Sequence, residues 1–264
     1  MSTPTGATAA PPTWRAVEQI MGMPVSVALR GRHAGDTGAR DAWAAVVAEL
    51  REVDRVFSTY RDDSVVSRLG RGELTLAECP PEMAEVLALG ERAERDSGGA
   101  FAVRRPGADG SERFDPSGVV KGWAIERAAR HLHALADTDS CLSGGGDLVC
   151  RVAGPDSPDW SIGIEHPDDP TRLVGRVPMR DGAVATSGLA HRGAHIVDAR
   201  TGRTPQLVAA VTVVARSLVD ADLDATSAFA LDEDAARWLA GRTDRTGLVV
   251  WRDGRVETVV GRVA

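Results

Sequence analysis

The sequence predicts an α+β fold, an antiparallel or mixed sheet packed with helices. Three features point that way. Apolar residues recur at helical spacing in a few separate segments, short β-type runs crowd the second half of the chain, and Gly, Pro and Asp clusters part those runs at hairpin distances. With 264 residues, one large domain or two modest lobes can bury a real core.

Residues 1–13 are small, polar and Pro-rich, and read as a flexible tail ahead of a single two-lobed domain over 14–264. Met23 to Leu29 alternates as a strand, and Gly31 to Gly38 turns away from it. From Asp41 to Phe57, Trp43, Val46, Val47, Leu50, Val53, Val56 and Phe57 fall at helical spacing. Pro80 and Pro81 open a helix that runs to about Arg95 with Met83, Val86, Leu87 and Leu89 on its core face. Asp96-Ser97-Gly98-Gly99 ends it. Lys121 to Ala136 reads as a third helix, led in through Pro116-Ser117-Gly118. Leu148–Val152, Trp160–Ile164 and Leu173–Val177 read as short antiparallel strands, continued by Ala183–Thr186, His195–Val197 and Ala209–Ala215. A helix follows from about Ala221, then Ala235–Ala240. Gly247–Trp251 and Arg255–Val260 close as a hairpin around Asp253-Gly254.

The net charge of −7, with basic residues scattered rather than striped, argues against a nucleic-acid surface. Three cysteines without a CxxC pair exclude a disulfide framework or zinc knuckle and leave buried structural thiols as the expectation. The first residues lack a basic region followed by an apolar one, no cysteine precedes Cys79, and no run approaches the ~20 apolar residues that cross a bilayer. The expectation is a soluble cytoplasmic protein without a membrane partner.

The most informative stretch is Val219-Asp-Ala-Asp222-Leu-Asp-Ala-Thr226-Ser-Ala-Phe229. As the first turns of a helix it places Asp222 and Thr226 on one face, two hard oxygen ligands for Mg²⁺. The same helix end offers its dipole and free N–H groups to a phosphate. Asp and Thr are also ordinary first-turn residues, so the spacing alone decides nothing. Asp115-Pro-Ser-Gly118-Val-Val-Lys121-Gly122 leads from loop to helix. Gly118 could aim its carbonyl at a metal and Lys121 could hold a phosphate, or the segment is a plain Pro-led helix start. Ser143-Gly-Gly-Gly-Asp147 is either a phosphate cradle or a tight turn between strands, and fits neither the P-loop nor the dinucleotide fingerprint. Thr186-Ser187-Gly188 with His191 and His195 invites a serine-hydrolase reading, but Ala185 stands where the nucleophile elbow needs glycine, and Gly193 argues against a zinc-binding helix. Tyr60, the single tyrosine, is either a ring wall for a planar ligand or a half-buried helix-end aromatic. The six tryptophans stand mostly at periodic positions and read as core.

In this order, Asp115-Pro-Ser-Gly-Val-Val-Lys-Gly122, Thr186-Ser-Gly188, His195-Ile-Val-Asp-Ala-Arg-Thr-Gly202 and Ala221-Asp-Leu-Asp-Ala-Thr226 resemble the ApbE family, the FAD:protein FMN transferases. The resemblance runs from about Ile20 to Ala240. It implies a T-fold-like structure with FAD in a cleft between two lobes. It also implies Mg²⁺-dependent transfer of FMN from FAD to a Ser or Thr hydroxyl of an acceptor protein carrying an Asp-x-x-Ser/Thr-Gly-Ala-Ser/Thr-like motif, with AMP released.

By the same resemblance Asp222 and Thr226 match the side-chain metal ligands and Gly118 the carbonyl ligand. Asp115 and Lys121 match FAD contacts. Met21, Tyr60, Ala100, Phe101, Ala102 and Ile196 match the flavin and adenine slots, and Thr186, Ser187 and His195 the phosphate end. His195 is the candidate proton acceptor, and Lys121 and Asp222 join it in catalysis. Ala102 stands where the family usually has Asp, and Ala199 where it has Pro. Two other outcomes remain open at this point: an FAD pyrophosphatase giving FMN and AMP, and a non-catalytic FAD-binding protein.

Overall fold

The computed structural model describes residues 12–106, 112–188 and 196–263. One eight-stranded sheet organises them. In chain order its strands are β1 (Thr13–Ile20), β2 (Met23–Gly31), β5 (Thr138–Gly144), β6 (Asp147–Arg151), β9 (Gly182–Gly188), β10 (Val208–Ala215), β11 (Thr246–Trp251) and β12 (Val256–Val260). They lie side by side in that order, every neighbouring pair antiparallel. The missing numbers belong to two small ribbons, β3 (Arg104–Pro106) with β4 (Glu112–Phe114), and β7 (Trp160–His166) with β8 (Asp169–Met179).

Two connections carry the helices. Between β2 and β5 run α1 (Thr37–Phe57), α2 (Val65–Gly70), α3 (Pro81–Asp96) and α4 (Ser117–His133); between β10 and β11 run α5 (Leu218–Ala230) and α6 (Ala235–Ala240). Period two in the strands sorts the core. Val25, Val27, Leu29, Leu142, Val149, Ala183, Ala185, Val211 and Val213 join the helices in the main core, while Cys150 and Val184 face Ile162 and Met179 of the β7–β8 ribbon. Helices thus cover one face of the sheet and a β-ribbon covers part of the other.

Local chemistry explains the boundaries. Asp36 caps α1 by accepting the Ala39 N–H at 2.9 Å, and Val46, Leu50, Val53 and Phe57 then fall on one buried stripe. Burying each such side chain contributes about 1.5–3 kcal/mol before entropy is set against it. α4 starts at Ser117, earlier than the expected Lys121, because Pro116 accepts the Val119 and Val120 amides and Asp115 accepts Ser117 N–H at 3.1 Å. The strand expected at His195–Val197 does not form: Ile196 and Val197 lie outside any strand, and His195 lies outside the described residues. No helix among the described residues is long and apolar enough to cross a membrane.

Candidate active site

The site begins with a close approach of two helices. Gly122 of α4 meets Asp222 of α5 so closely that a Cβ on Gly122 would stand 2.9 Å from both Cβ and Oδ2 of Asp222. The Gly122 amide donates to Asp222 Oδ2 at 3.0 Å. An ideal α-helix aims that amide at the Gly118 carbonyl. A glycine thus lets a carboxylate on one helix lean on the first turns of the other.

Lys121, next to it, reaches between two carboxylates. Its ammonium pairs closely with Asp147 Oδ2 and stands 3.3 Å from Asp222 Oδ1. Asp147 opens β6 just after the turn Gly145–Gly146, where positive φ angles of 60° and 93° require glycine. Burial works against the Lys121 charge, but Asp222 and Asp147 outweigh it and hold the ammonium above its ordinary range. Burial first, and the Asp222 carboxylate second, push the Asp147 carboxyl upward against the pull of Lys121.

The contacts return to the starting helix. Asp147 Oδ1 accepts the Thr186 amide at 3.0 Å, Thr186 Oγ1 bonds Thr212 Oγ1 at 2.9 Å, and Ser187 Oγ bonds Thr226 Oγ1 at 3.0 Å. One chain of contacts therefore leaves α5 at Asp222 and rejoins it one turn later at Thr226. Of residues 221–230, Thr226 alone is half-buried and all the others are buried.

Five candidate residues (Lys121, Thr186, Ser187, Asp222 and Thr226) are joined by these contacts. A second group lies along α4's first turn. The Phe101 ring packs over Gly118, with a Cβ there 3.1 Å from it, and Ala100 accepts the Ala199 N–H at 3.0 Å, which docks the 198–202 turn onto the 99–101 loop. Ile196 and Phe101 are buried, and Ala102 is half-buried. Asp115 stands 3.7 Å from Arg113 and 4.0 Å from Arg105, apart from Lys121 in chain and partners. Met21 turns β1 into β2 at φ 56°, an unusual conformation for a side-chain-bearing residue, beside the Gly145 turn that Met23 packs on. Tyr60 is 98% exposed, which removes the half-buried alternative and leaves its ring open to solvent.

One expectation is corrected. The N-terminus of α5 is not at the site: Ser217 caps it through Asp220 N–H, and Glu126 of α4 accepts Ser217 Oγ–H at 2.8 Å and Val219 N–H at 2.9 Å. Its Val219, Asp220 and Ala221 amides are already taken, so Asp222 and Thr226 work from the second and third turns. Asp147 and Glu126 were not among the residues singled out. The quoted Gly-Gly-Gly-Asp147 turn held a signal for the first, while nothing local marks Glu126.

The donor set at Asp222, Thr226 and the Gly118 carbonyl is all hard oxygen, which fits Mg²⁺ better than a soft metal. Thr226 Oγ1 keeps a lone pair beyond its one side-chain hydrogen bond among the described residues, and the Asp222 contact to Lys121 is the looser of the two. No cluster of three or more His, Cys, Asp or Glu suited to a metal occurs among the described residues, so substrate or solvent oxygens would complete the shell. A hollow of about 950 Å³ bounded by Leu207, Ala236, Trp251 and Val259 includes none of the candidate residues.

Sheet order, the carboxylate–lysine–carboxylate bridge and the four motifs together define a flavin-transferase-like class. The chain belongs to the ApbE family, which matches residues 21–105 and 107–250. A Vibrio cholerae protein named FAD:protein FMN transferase is 31% identical over 130 residues, 46% of this chain and 39% of that relative. A Haemophilus influenzae protein of the same name is 25% identical over 259 residues, covering 75% of each. The apo crystal structure of Pseudomonas stutzeri flavinyl transferase ApbE matches with a TM-score of 0.79 and 22% identity, over 96% of this chain and 95% of that one. At that identity the likeness is one of fold.

Proposed function

We propose that this protein transfers FMN from FAD to a Ser or Thr hydroxyl of an acceptor protein in a Mg²⁺-dependent reaction that releases AMP. Family membership and the names of its relatives support the reading. The single observation that carries it is the contact chain Asp222–Lys121–Asp147–Thr186/Ser187–Thr226, which gathers a cation, carboxylates and hydroxyls at one place. In the transfer the acceptor oxygen bonds to the FMN phosphorus, the bond from that phosphorus to the bridging oxygen breaks, and AMP leaves with the electron pair. The hydroxyl proton goes to a base, for which His195 is the candidate.

Negative charge grows on the phosphoryl oxygens and on AMP, so positioning and neutralisation are what a protein must supply. Lys121 presents a positive charge held in place by Asp147. Asp222, Thr226 and the Gly118 carbonyl would hold Mg²⁺, which supplies Lewis acidity and a template when bound. Ser187 orients the Thr226 hydroxyl, and Tyr60 offers an open ring face for the flavin or adenine. Phe101 and Ile196 offer apolar walls.

The test is incubation with FAD, Mg²⁺ and a candidate acceptor, read by intact mass. An acceptor heavier by FMN, with AMP in solution, is the expected result, and Asp222→Ala should abolish it while the circular dichroism stays native. Free FMN accumulating without acceptor labelling would favour a pyrophosphatase. Stoichiometric FAD without turnover would favour a binding protein.

A further inference from the structure

Cys141 and Cys150 are directly opposed residues of the β5–β6 hairpin. The turn Gly145–Gly146 joins Gly144 to Asp147, the hydrogen-bonded pair that closes a two-residue hairpin. Counting back along the alternating ladder, Ser143 with Leu148 is non-hydrogen-bonded, Leu142 with Val149 bonded, and Cys141 with Cys150 non-hydrogen-bonded. At such a pair the Cα atoms lie about 4.5 Å apart and the side chains lean together. That spacing is inside the ~4.4–6.8 Å that disulfides span.

Both thiols point to the face covered by the β7–β8 ribbon, where Cys150 packs against Ile162, Met179 and Val184 with Cys141 at the margin of the cluster. The neighbouring Cys141 thiol first, and burial second, raise the Cys150 thiol above its ordinary range. Cys150 is 2% exposed, while Cys141 is half-buried. Cys141 is thus the more accessible residue of the pair. The third cysteine, Cys79, lies outside this hairpin, its Sγ donating to Thr75 O at 3.4 Å.

From this geometry we infer that Cys141 and Cys150 form a reversible cross-strand disulfide by exchange with a low-molecular-weight disulfide, a modification site separate from the flavin chemistry. The Cys141 thiolate attacks one sulfur of the small disulfide and expels one small thiolate, leaving Cys141 in a mixed disulfide. The Cys150 sulfur, its proton passing to the departing thiolate, then attacks Cys141 Sγ and expels the second small thiol. Two protein thiols are oxidised and one small disulfide is reduced to two thiols. The strands already hold the two cysteines directly opposite each other on one face, so the second step needs no change of register.

The experiment treats the folded full-length protein with oxidised glutathione, blocks remaining thiols by alkylation, and maps peptides by mass spectrometry. The peptide from His131 to Arg151 carries both cysteines, and cleavage beside Asp147 parts them unless they are linked. Expected is a peptide lighter by two hydrogens and closed to alkylation, whose halves stay joined after the second cleavage and separate with dithiothreitol. The same product should form in Cys79→Ser. A lasting glutathione adduct on Cys141 with Cys150 still alkylatable, two thiols unreactive in the folded state, or a link that requires Cys79 would each overturn the inference.

Discussion

The Gly122 amide donates to Asp222 Oδ2 at 3.0 Å, across two helices that the chain separates by 100 residues. This bond and the absent side chain above it set how deeply α5 seats against α4. Gly122→Ala tests it. Alanine favours the helix by about 1 kcal/mol over glycine, but its Cβ would sit 2.9 Å from Asp222 and 3.2 Å from the Leu218 carbonyl. Overpacking of this kind costs roughly 1–3 kcal/mol, so strain wins. Urea unfolding should show a lower midpoint, and acceptor labelling should fall further than the stability loss explains.

Among the described residues, Lys121 is the only cation paired with Asp147 or Asp222. Lys121→Met removes it and leaves two buried carboxylates facing each other. Breaking a buried pair from one side costs about 3–5 kcal/mol. Adding Asp147→Asn should restore part of the melting temperature without restoring transfer, because stability needs charge balance whereas the proposed chemistry needs the cation.

Thr226→Val keeps the shape and deletes the hydroxyl. The lost bond to Ser187 costs only about 0.5–1.5 kcal/mol, so the fold should persist. If Thr226 holds the metal, the Mg²⁺ concentration for half-maximal labelling should rise by at least the ~10–100-fold that losing an outer-shell partner costs. Thr226→Ser should recover most of it. An unchanged Mg²⁺ titration in the valine variant would remove Thr226 from the ligand set.

His133, in the last turn of α4, is held below its ordinary value of 6.5, by burial first and by the Arg151 guanidinium second. Its Nε2 has no hydrogen-bond partner among the described residues. The unfolded chain therefore takes up this proton more readily than the folded one, and stability falls as pH drops below 6.5. Urea midpoints measured from pH 7.5 downward should decline through that window. His133→Leu should flatten the decline without altering the value at neutral pH in the same direction.

The long helices and the inner strands were legible because period and burial agree. Val46, Leu50, Val53 and Phe57 repeat at 3.6, and Val208–Ala215 is apolar but for the buried Thr212 because both its faces are covered. β1 was not legible. As an edge strand it buries little, with Val17 62% exposed and Arg15, Glu18 and Gln19 interrupting the pattern. The short α2 rests on one cap, Ser64 accepting Ser67 N–H at 3.1 Å, too slight a signal against a polar background. Of the site, the motifs gave Lys121, Asp222, Thr226, Thr186 and Ser187. Asp147 and Glu126 act through partners 26 and 91 or more residues away, and no single-sequence pattern encodes such pairings.

The depth at which α5 lies has one more result. Between Ala221 and Ala230 every residue but the half-buried Thr226 is buried, and the helix rests on β9 and β10 in the middle of the sheet. Its backbone amides can trade hydrogen for deuterium only through openings large enough to lift the helix off those strands. Fluctuations confined to the surface never reach the residues proposed to grip the cation. Durability at that spot and durability of the whole molecule are therefore a single property.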